Sequence, residues 1–274
     1  RMQNQASFEA AEALCHTLGV NSEVQTGGPI FIVGLPRTGT TLVDRIISSH
    51  SGIVSAGERP EFGAFLKRAV GNDSADMLDA GTIKGAAGTD LLAVGQNYIE
   101  SVQGILNGAQ RFTDKMPINA LLVPAILAAL PNARVICLRR QPADSVLSIY
   151  RQLFALSALH YRCAHSLEDL ADYVARFHGL VETYTGALPS SRFTLVDYET
   201  LVEEPEAETR RLLEFCGLEF EQACLDFQEN SAPVATASVA QVRQPMYRSS
   251  VDRWKRYQPQ LEPALEILRK AGRL

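Results

Sequence analysis

Short apolar runs recur along the chain, each followed by a stretch in which apolar residues return every three or four positions. Runs over 30–34, 53–56, 111–114, 133–139 and 192–197 are rich in Ile, Val, Phe and Leu, and this predicts strands. Helical periodicity predicts helices over 40–50, 60–70, 89–107, 118–130, 142–158, 166–186, 205–216 and 260–272. Pro142 suits the first turn of its helix, where a missing N–H removes no intrahelical bond. A shorter helical stretch, FEAAEALCHTL, precedes all of these and gives way after Gly19 to the polar linker NSEVQTGG. Strand–helix alternation from Pro29 onward predicts an α/β fold in three layers, a mainly parallel central sheet flanked by helices. Residues 1–28 are expected to be a helix and linker left from an upstream region, and 29–274 a single catalytic-type domain. The polar, glycine-rich stretch 70–90 reads as a loop or lid.

The first strand–helix junction carries chemistry. It reads Gly34-Leu-Pro-Arg-Thr-Gly-Thr-Thr41, with Gly34 and Gly39 at the spacing of a P-loop. Backbone N–H groups of such a loop, with the helix N-terminus behind them, form an anion cradle. Thr40 stands where a triphosphate-binding loop has lysine, and the cation has moved to Arg37. In nucleotide triphosphatases that lysine and a second-strand aspartate serve a Mg²⁺-bound phosphoryl group. Here one strand, ARVICLRRQP, ends in Arg139 and Arg140, which attract an anion and repel a metal, whereas FTLVD ends in Asp197.

Composition narrows the ligand. A formal net charge of −5 disfavours a nucleic-acid partner, while basic residues gather locally at 134–140 and 243–256, as suits a small anion. The longest apolar run, LLVPAILAAL over 121–130, is about half a membrane span and contains Pro124. No signal segment opens the chain, which begins at Arg1 rather than Met. The five cysteines form no C-x-x-C pair and read as buried thiols, so a cytoplasmic location is expected. His50 reads as a capping or packing residue, His160 and His165 lack a repeated metal-ligand spacing, and Asn72-Asp-Ser74 matches a glycosylation acceptor by pattern only.

Taken in order, GLPRTGTT, FTDKMP, VICLRRQPADSVLS, VDYETLVEEP and TASVAQVRQPMYRSSVDRW resemble the segments of sulfotransferases that use 3′-phosphoadenosine 5′-phosphosulfate (PAPS). The texture is nearest to bacterial sulfotransferases that follow tetratricopeptide repeats, and those are similar to protein-tyrosine sulfotransferases. The resemblance runs from about Pro29 to Trp254 and makes 29–274 a sulfotransferase domain. It implies that Arg37 and the backbone of Thr38, Gly39, Thr40, Thr41 and Leu42 hold the 5′-phosphosulfate, and that Arg140 and Ser148 hold the 3′-phosphate. It also implies that Tyr198 contacts adenine and Arg253 a phosphate. Lys115 matches the lysine beside the bridging oxygen, Ser238 the catalytic serine, and Trp254 a packing anchor. Arg243 and Arg248 are either further basic lining or surface charge. The expected cosubstrate is PAPS, the product 3′,5′-diphosphoadenosine (PAP), and no metal is required.

The acceptor is a hydroxyl on a peptide tyrosine, a sugar or a small phenol or alcohol. FTDKMPIN lacks the histidine base of the cytosolic small-molecule enzymes, and Ala56-Gly57-Glu58-Arg59 places arginine at the second glutamate of the tyrosine enzymes' G-E-E motif. Glu58 is the first candidate for the general base, with Glu61 and Asp114 behind it. Two other readings stand beside this one: a metal-dependent P-loop kinase using Asp197, and a non-catalytic nucleotide-binding module.

Overall fold

The computed structural model describes residues 2–25, 27–106, 108–109, 111–152, 154, 159–232, 242–244, 246 and 248–274. Five strands form one sheet: β1 (Ile30–Gly34), β2 (Val54–Ser55), β3 (Phe112–Lys115), β4 (Arg134–Arg139) and β5 (Phe193–Asp197). Their order is β2-β3-β1-β4-β5, and all the pairings are parallel. Every residue of β1 is buried, as a central strand covered on both faces must be.

Alternation along the strands sorts the core into two layers. Phe31, Val33, Val135 and Cys137 join one apolar cluster, while Ile30, Ile32, Ile136 and Leu138 join the other. The second cluster is completed by α2 (Thr40–Ser48), α9 (Tyr198–Glu203) and α10 (Pro205–Cys216). On the first face lie α1 (Met2–Thr17), α3 (Glu61–Val70), α4 (Ala80–Gly85), α5 (Leu91–Leu106), α6 (Val123–Ala129), α7 (Pro142–Tyr150), α8 (Leu167–Ala187) and α11 (Gln258–Lys270). These are the three layers read from the sequence. Helix α1 buries Phe8, Ala11 and Leu14 in the first cluster, against α4 and α8.

Several elements differ from their sequence reading, each for a local reason. Residues 80–88 are not loop but α4 and a 3₁₀ turn. Asp79 caps α4 by accepting from Thr82 N (3.0 Å), Asn72 Nδ2 donates to the Asp79 carboxylate (2.9 Å), and Ile83 is fully buried. The stretch 118–130 begins as a 3₁₀ turn over Pro117–Leu122 and becomes α6 only at Val123. Pro124 has no N–H to donate to Ala120 O, as a continuous α-helix from Pro117 would require. The run YETLVEEP contains a six-residue helix of its own, α9, broken from α10 at Glu204 because Pro205 disfavours helical geometry in the residue before it. Helix α7 ends at Tyr150; of the rest of its expected span, 151, 152 and 154 are not helical, and 153 and 155–158 lie outside the described residues.

All strand ends that carry candidate residues lie at one edge, because a parallel sheet sends every carboxyl end the same way. The adjacent strands β1 and β4 connect to opposite sides, so a crevice opens between the loops that follow them. No helix among the described residues is long and apolar enough to cross a membrane.

Candidate active site

The loop after β1 turns on two glycines with positive φ, Gly34 at 151° and Gly39 at 103°. A Cβ on Gly34 would lie 2.7 Å from Leu138 O, and one on Gly39 would lie 2.9 Å from the Tyr198 ring, so the close approaches on both sides demand glycine. Arg37 also sits at positive φ, 65°, where non-glycine residues are uncommon. Thr38 is fully buried, and its hydroxyl donates to Leu35 O (2.6 Å), which ties the loop to itself. Thr40 and Thr41 open α2 and are buried, and of this first turn Thr41 and Leu42 line the crevice, whereas Thr38 and Thr40 do not.

Arg140 crosses the crevice. Its Nη1 donates to Arg37 O (3.1 Å), its Nη2 donates to Ser250 O (2.5 Å), and its guanidinium lies 4.7 Å from the centre of the Tyr198 ring. Its Nε is buried without a partner. A buried guanidinium with donors to spare, beside a glycine cradle, fits an anionic group. One cleft is lined by Arg37, Gly39, Thr41, Leu42, Arg140, Ser148, Tyr198 and Arg253, so residues scattered over more than two hundred positions of sequence meet there. Ser238 lies outside the described residues.

The same cleft holds residues that the motif reading passed over. Asp144, Leu147, Arg151 and Gln152 line it from α7 and the turn that follows. They share a signal with Ser148: positions 144, 148 and 151–152 repeat at helical spacing, so Asp144 and Ser148 lie on one face of α7 and Arg151 and Gln152 continue it. Asp144 is 1% exposed, and burial raises its carboxyl above the usual range. Phe227, Val242 and Met246 supply apolar wall; Val242 and Met246 lie within the last motif segment without a role there, and Phe227 lies in none.

Beside the cleft, at the ends of β2 and β3, Lys115 Nζ donates to Glu58 Oε1. The lysine side chain is 3% exposed and the glutamate 42%, so the carboxylate is the member of the pair that a solvent-borne group can reach. Asp44 of α2 underpins them. Thr113 Oγ1 (2.5 Å) and Ser55 Oγ (3.0 Å) donate to its carboxylate, and Gly57 N donates to Ser55 Oγ (3.2 Å), which fixes the turn carrying Glu58. Burial raises the Asp44 carboxyl, against the pull of these hydroxyls and of Lys115.

The other base candidates point elsewhere. Asp114 is fully buried on the opposite face of β3, its Oδ2 accepting from Tyr98 OH (2.6 Å), and burial pushes its carboxyl up to about 7. Glu61 pairs with Arg59. Asp197 is held in a two-point pair by Arg139, with Nε–Oδ1 at 2.7 Å and Nη2–Oδ2 at 3.0 Å. Arg248 turns away from the cleft and donates to Val202 O and Glu203 O at the end of α9. Arg243 is exposed. His50 packs structurally, its Nδ1 accepting from Gly52 N (2.9 Å). All five cysteines are buried and free, with Cys137 pushed up to about 12 by burial.

The chain is similar to known proteins in sequence and in fold. The family model described as the sulfotransferase family matches residues 29–222. An uncharacterized protein of Aquifex aeolicus (strain VF5) is 36% identical over 254 residues, which covers 88% of this chain and 32% of that protein. A protein-tyrosine sulfotransferase of Drosophila melanogaster is 23% identical over 243 residues, covering 82% of this chain and 46% of that one. The chain thus spans less than half of the length of either relative. Among solved structures, the sulfotransferase domain of the Synechococcus PCC 7002 olefin synthase superposes with a TM-score of 0.59 at 16% identity, covering 93% of this chain and 98% of that domain. That likeness bears on the fold.

Proposed function

The chain belongs to the sulfotransferase family, and from that premise we propose that it moves a sulfuryl group from PAPS to an acceptor hydroxyl. The observation that carries the proposal is the convergence of Arg37, Arg140, Ser148, Tyr198 and Arg253 on one cleft under the glycine loop. Arg37 and the loop amides hold the 5′-phosphosulfate end. Arg140, through the N–H groups it does not use on Arg37 and Ser250, holds the 3′-phosphate together with Ser148. Tyr198 meets adenine, with the Arg140 guanidinium close to its ring. Arg253 adds charge from the C-terminal side.

The donor supplies an activated sulfuryl group whose leaving group is already a stable phosphate, so the protein's task is positioning and charge stabilisation. Glu58 accepts the acceptor's hydroxyl proton, being the exposed half of its pair with Lys115. Lys115, buried and fixed at the end of β3, would with Arg37 meet the charge that builds on the leaving phosphate. Each such preorganised donor contributes about 3 kcal/mol to a transition state of this kind. Ser238 is assigned to the same charge by its motif. The metal-dependent alternative rested on Asp197, and both carboxylate oxygens of that residue are engaged by Arg139. The acceptor is a phenol, a sugar or another alcohol hydroxyl. Five free buried thiols suit a reducing compartment such as the cytoplasm.

Calorimetry with PAP, AMP and ATP in EDTA tests the assignment. PAP is expected to bind at least tenfold more tightly than AMP, about 1.4 kcal/mol for the 3′-phosphate contacts. AMP binding as tightly as PAP would remove Arg140 and Ser148 from the donor site.

A further inference from the structure

An acid has no evident place in a cleft built for a polyanion, yet Asp144 lines this one. Both of its oxygens are committed to backbone. Oδ2 accepts from Asp252 N (2.8 Å) and Oδ1 accepts from Trp254 N (2.9 Å). Those two amides flank a single residue, Arg253, which lines the same cleft. Asp252 lies in the left-handed region at φ 59°, so the turn is one the chain does not adopt on its own preference. Arg140 adds a second tie through Ser250 O, and its Nη2 lies 4.0 Å from Asp144 Oδ2.

We infer that Asp144 is a positioning residue that clamps the 252–254 turn and so aims Arg253 into the donor cleft. The inference rests on the reading of that cleft as a PAPS site. It places on α7 both a donor contact, Ser148, and the means of setting another donor contact that follows more than a hundred residues later.

Charge and clamp predict opposite signs, which makes the test sharp. Asp144→Asn keeps the volume, removes a negative charge beside Arg140, and turns an N–H group toward one of the two amides. If Asp144 acted only through charge, PAP, a polyanion, would bind more tightly to the variant. The clamp predicts PAP binding weaker by about tenfold, the loss expected for one misplaced charged contact. Arg253→Met should weaken PAP binding by a similar factor, and the double variant should be no weaker than Arg253→Met alone, since both act through the same guanidinium. Trp254 is the chain's single tryptophan. Its quenching by acrylamide should therefore rise in Asp144→Asn while far-UV circular dichroism stays unchanged.

Should Asp144→Asn not fold, Asp252→Val makes the test from the exposed side of the turn, because a β-branched residue is strained at that φ. It is expected to weaken PAP binding and expose Trp254 in the same way. Tighter or unchanged PAP binding in either folded variant overturns the inference, as do fully additive losses in the double variant. PAP binding that is indifferent to Arg253→Met overturns it too, with the cleft reading left standing. A wild-type protein that does not bind PAP overturns the cleft reading itself.

Discussion

At the scale of single residues, the chemistry turns on which carboxyl can meet a substrate. Glu58 and Asp114 lie near one another at the end of the sheet, yet only Glu58 is exposed; Asp114 is sealed beneath Tyr98. Glu58→Gln should therefore lower turnover by about 10² to 10⁴ while leaving PAP affinity within twofold, as measured by steady-state rates beside calorimetry. An equal loss in both quantities would make Glu58 a donor-binding residue instead of the base. Asp114 makes a separate prediction. Its folded-state pKa, about 7, lies above the unfolded value near 3.8. The folded protein therefore holds a proton that the unfolded chain releases, and stability falls as pH rises from about 4 to 7. Asp114→Asn keeps an acceptor for Tyr98 OH and removes the ionisation, so it should stabilise the protein by up to about 4 kcal/mol above pH 7. The Tm difference between variant and wild type should be larger at pH 8 than at pH 5; a difference independent of pH would refute this. That Arg37 and Arg140 stand at the crevice was legible in the sequence, because glycine spacing after one strand and a doubled arginine at the end of another are local signals. Asp144 carried a local signal as well, its helical spacing from Ser148, but the two amides it holds are 108 and 110 residues away.

At the scale of elements, most boundaries were legible because one physical rule governed each. Helix α10 runs from Pro205 to Cys216 as read, opened by proline and closed by Gly217 in the left-handed conformation. Strand β1 was equally plain, since it is apolar on both faces. Helix α4 was not, because AGTIKG is a poor helix by composition. It exists through Asp79, which accepts from Thr82 N, Asn72, and Ser74 Oγ (2.5 Å), with Lys67 Nζ 3.9 Å away. Asp79→Ala should cost about 1–2 kcal/mol in urea unfolding. It should leave PAP affinity unchanged, since α4 contributes nothing to the cleft lining. A loss of PAP affinity would show that α4 and the donor site are coupled. The Asn72 amide that matches a glycosylation pattern is used in this network.

At the scale of the molecule, one buried cation joins parts that no motif connects. Arg192 is 1% exposed and donates to Ala133 O (3.1 Å), Leu127 O (3.0 Å), Leu130 O (2.7 Å) and Asn21 O (3.3 Å). It thereby closes the carboxyl end of α6, braces the start of β4 and fastens the N-terminal linker. Desolvation lowers its pKa to about 10, so it remains charged at neutral pH. Arg192→Leu strands those carbonyls and should cost about 3 kcal/mol or more in equilibrium unfolding. A loss under 1 kcal/mol would mean that water replaces the guanidinium there.

The sequence by itself determined the alternation of strands and helices, the three layers, and the phosphate-loop character of the first turn, because periodicity and glycine spacing act over a few residues. The strand order, the pairing of Lys115 with Glu58, and the clasp of Asp144 on the turn around Arg253 were decided only by the tertiary structure. Those contacts join positions tens to more than a hundred residues apart, and it is the parallel sheet, sending its strand ends to one edge, that brings them together.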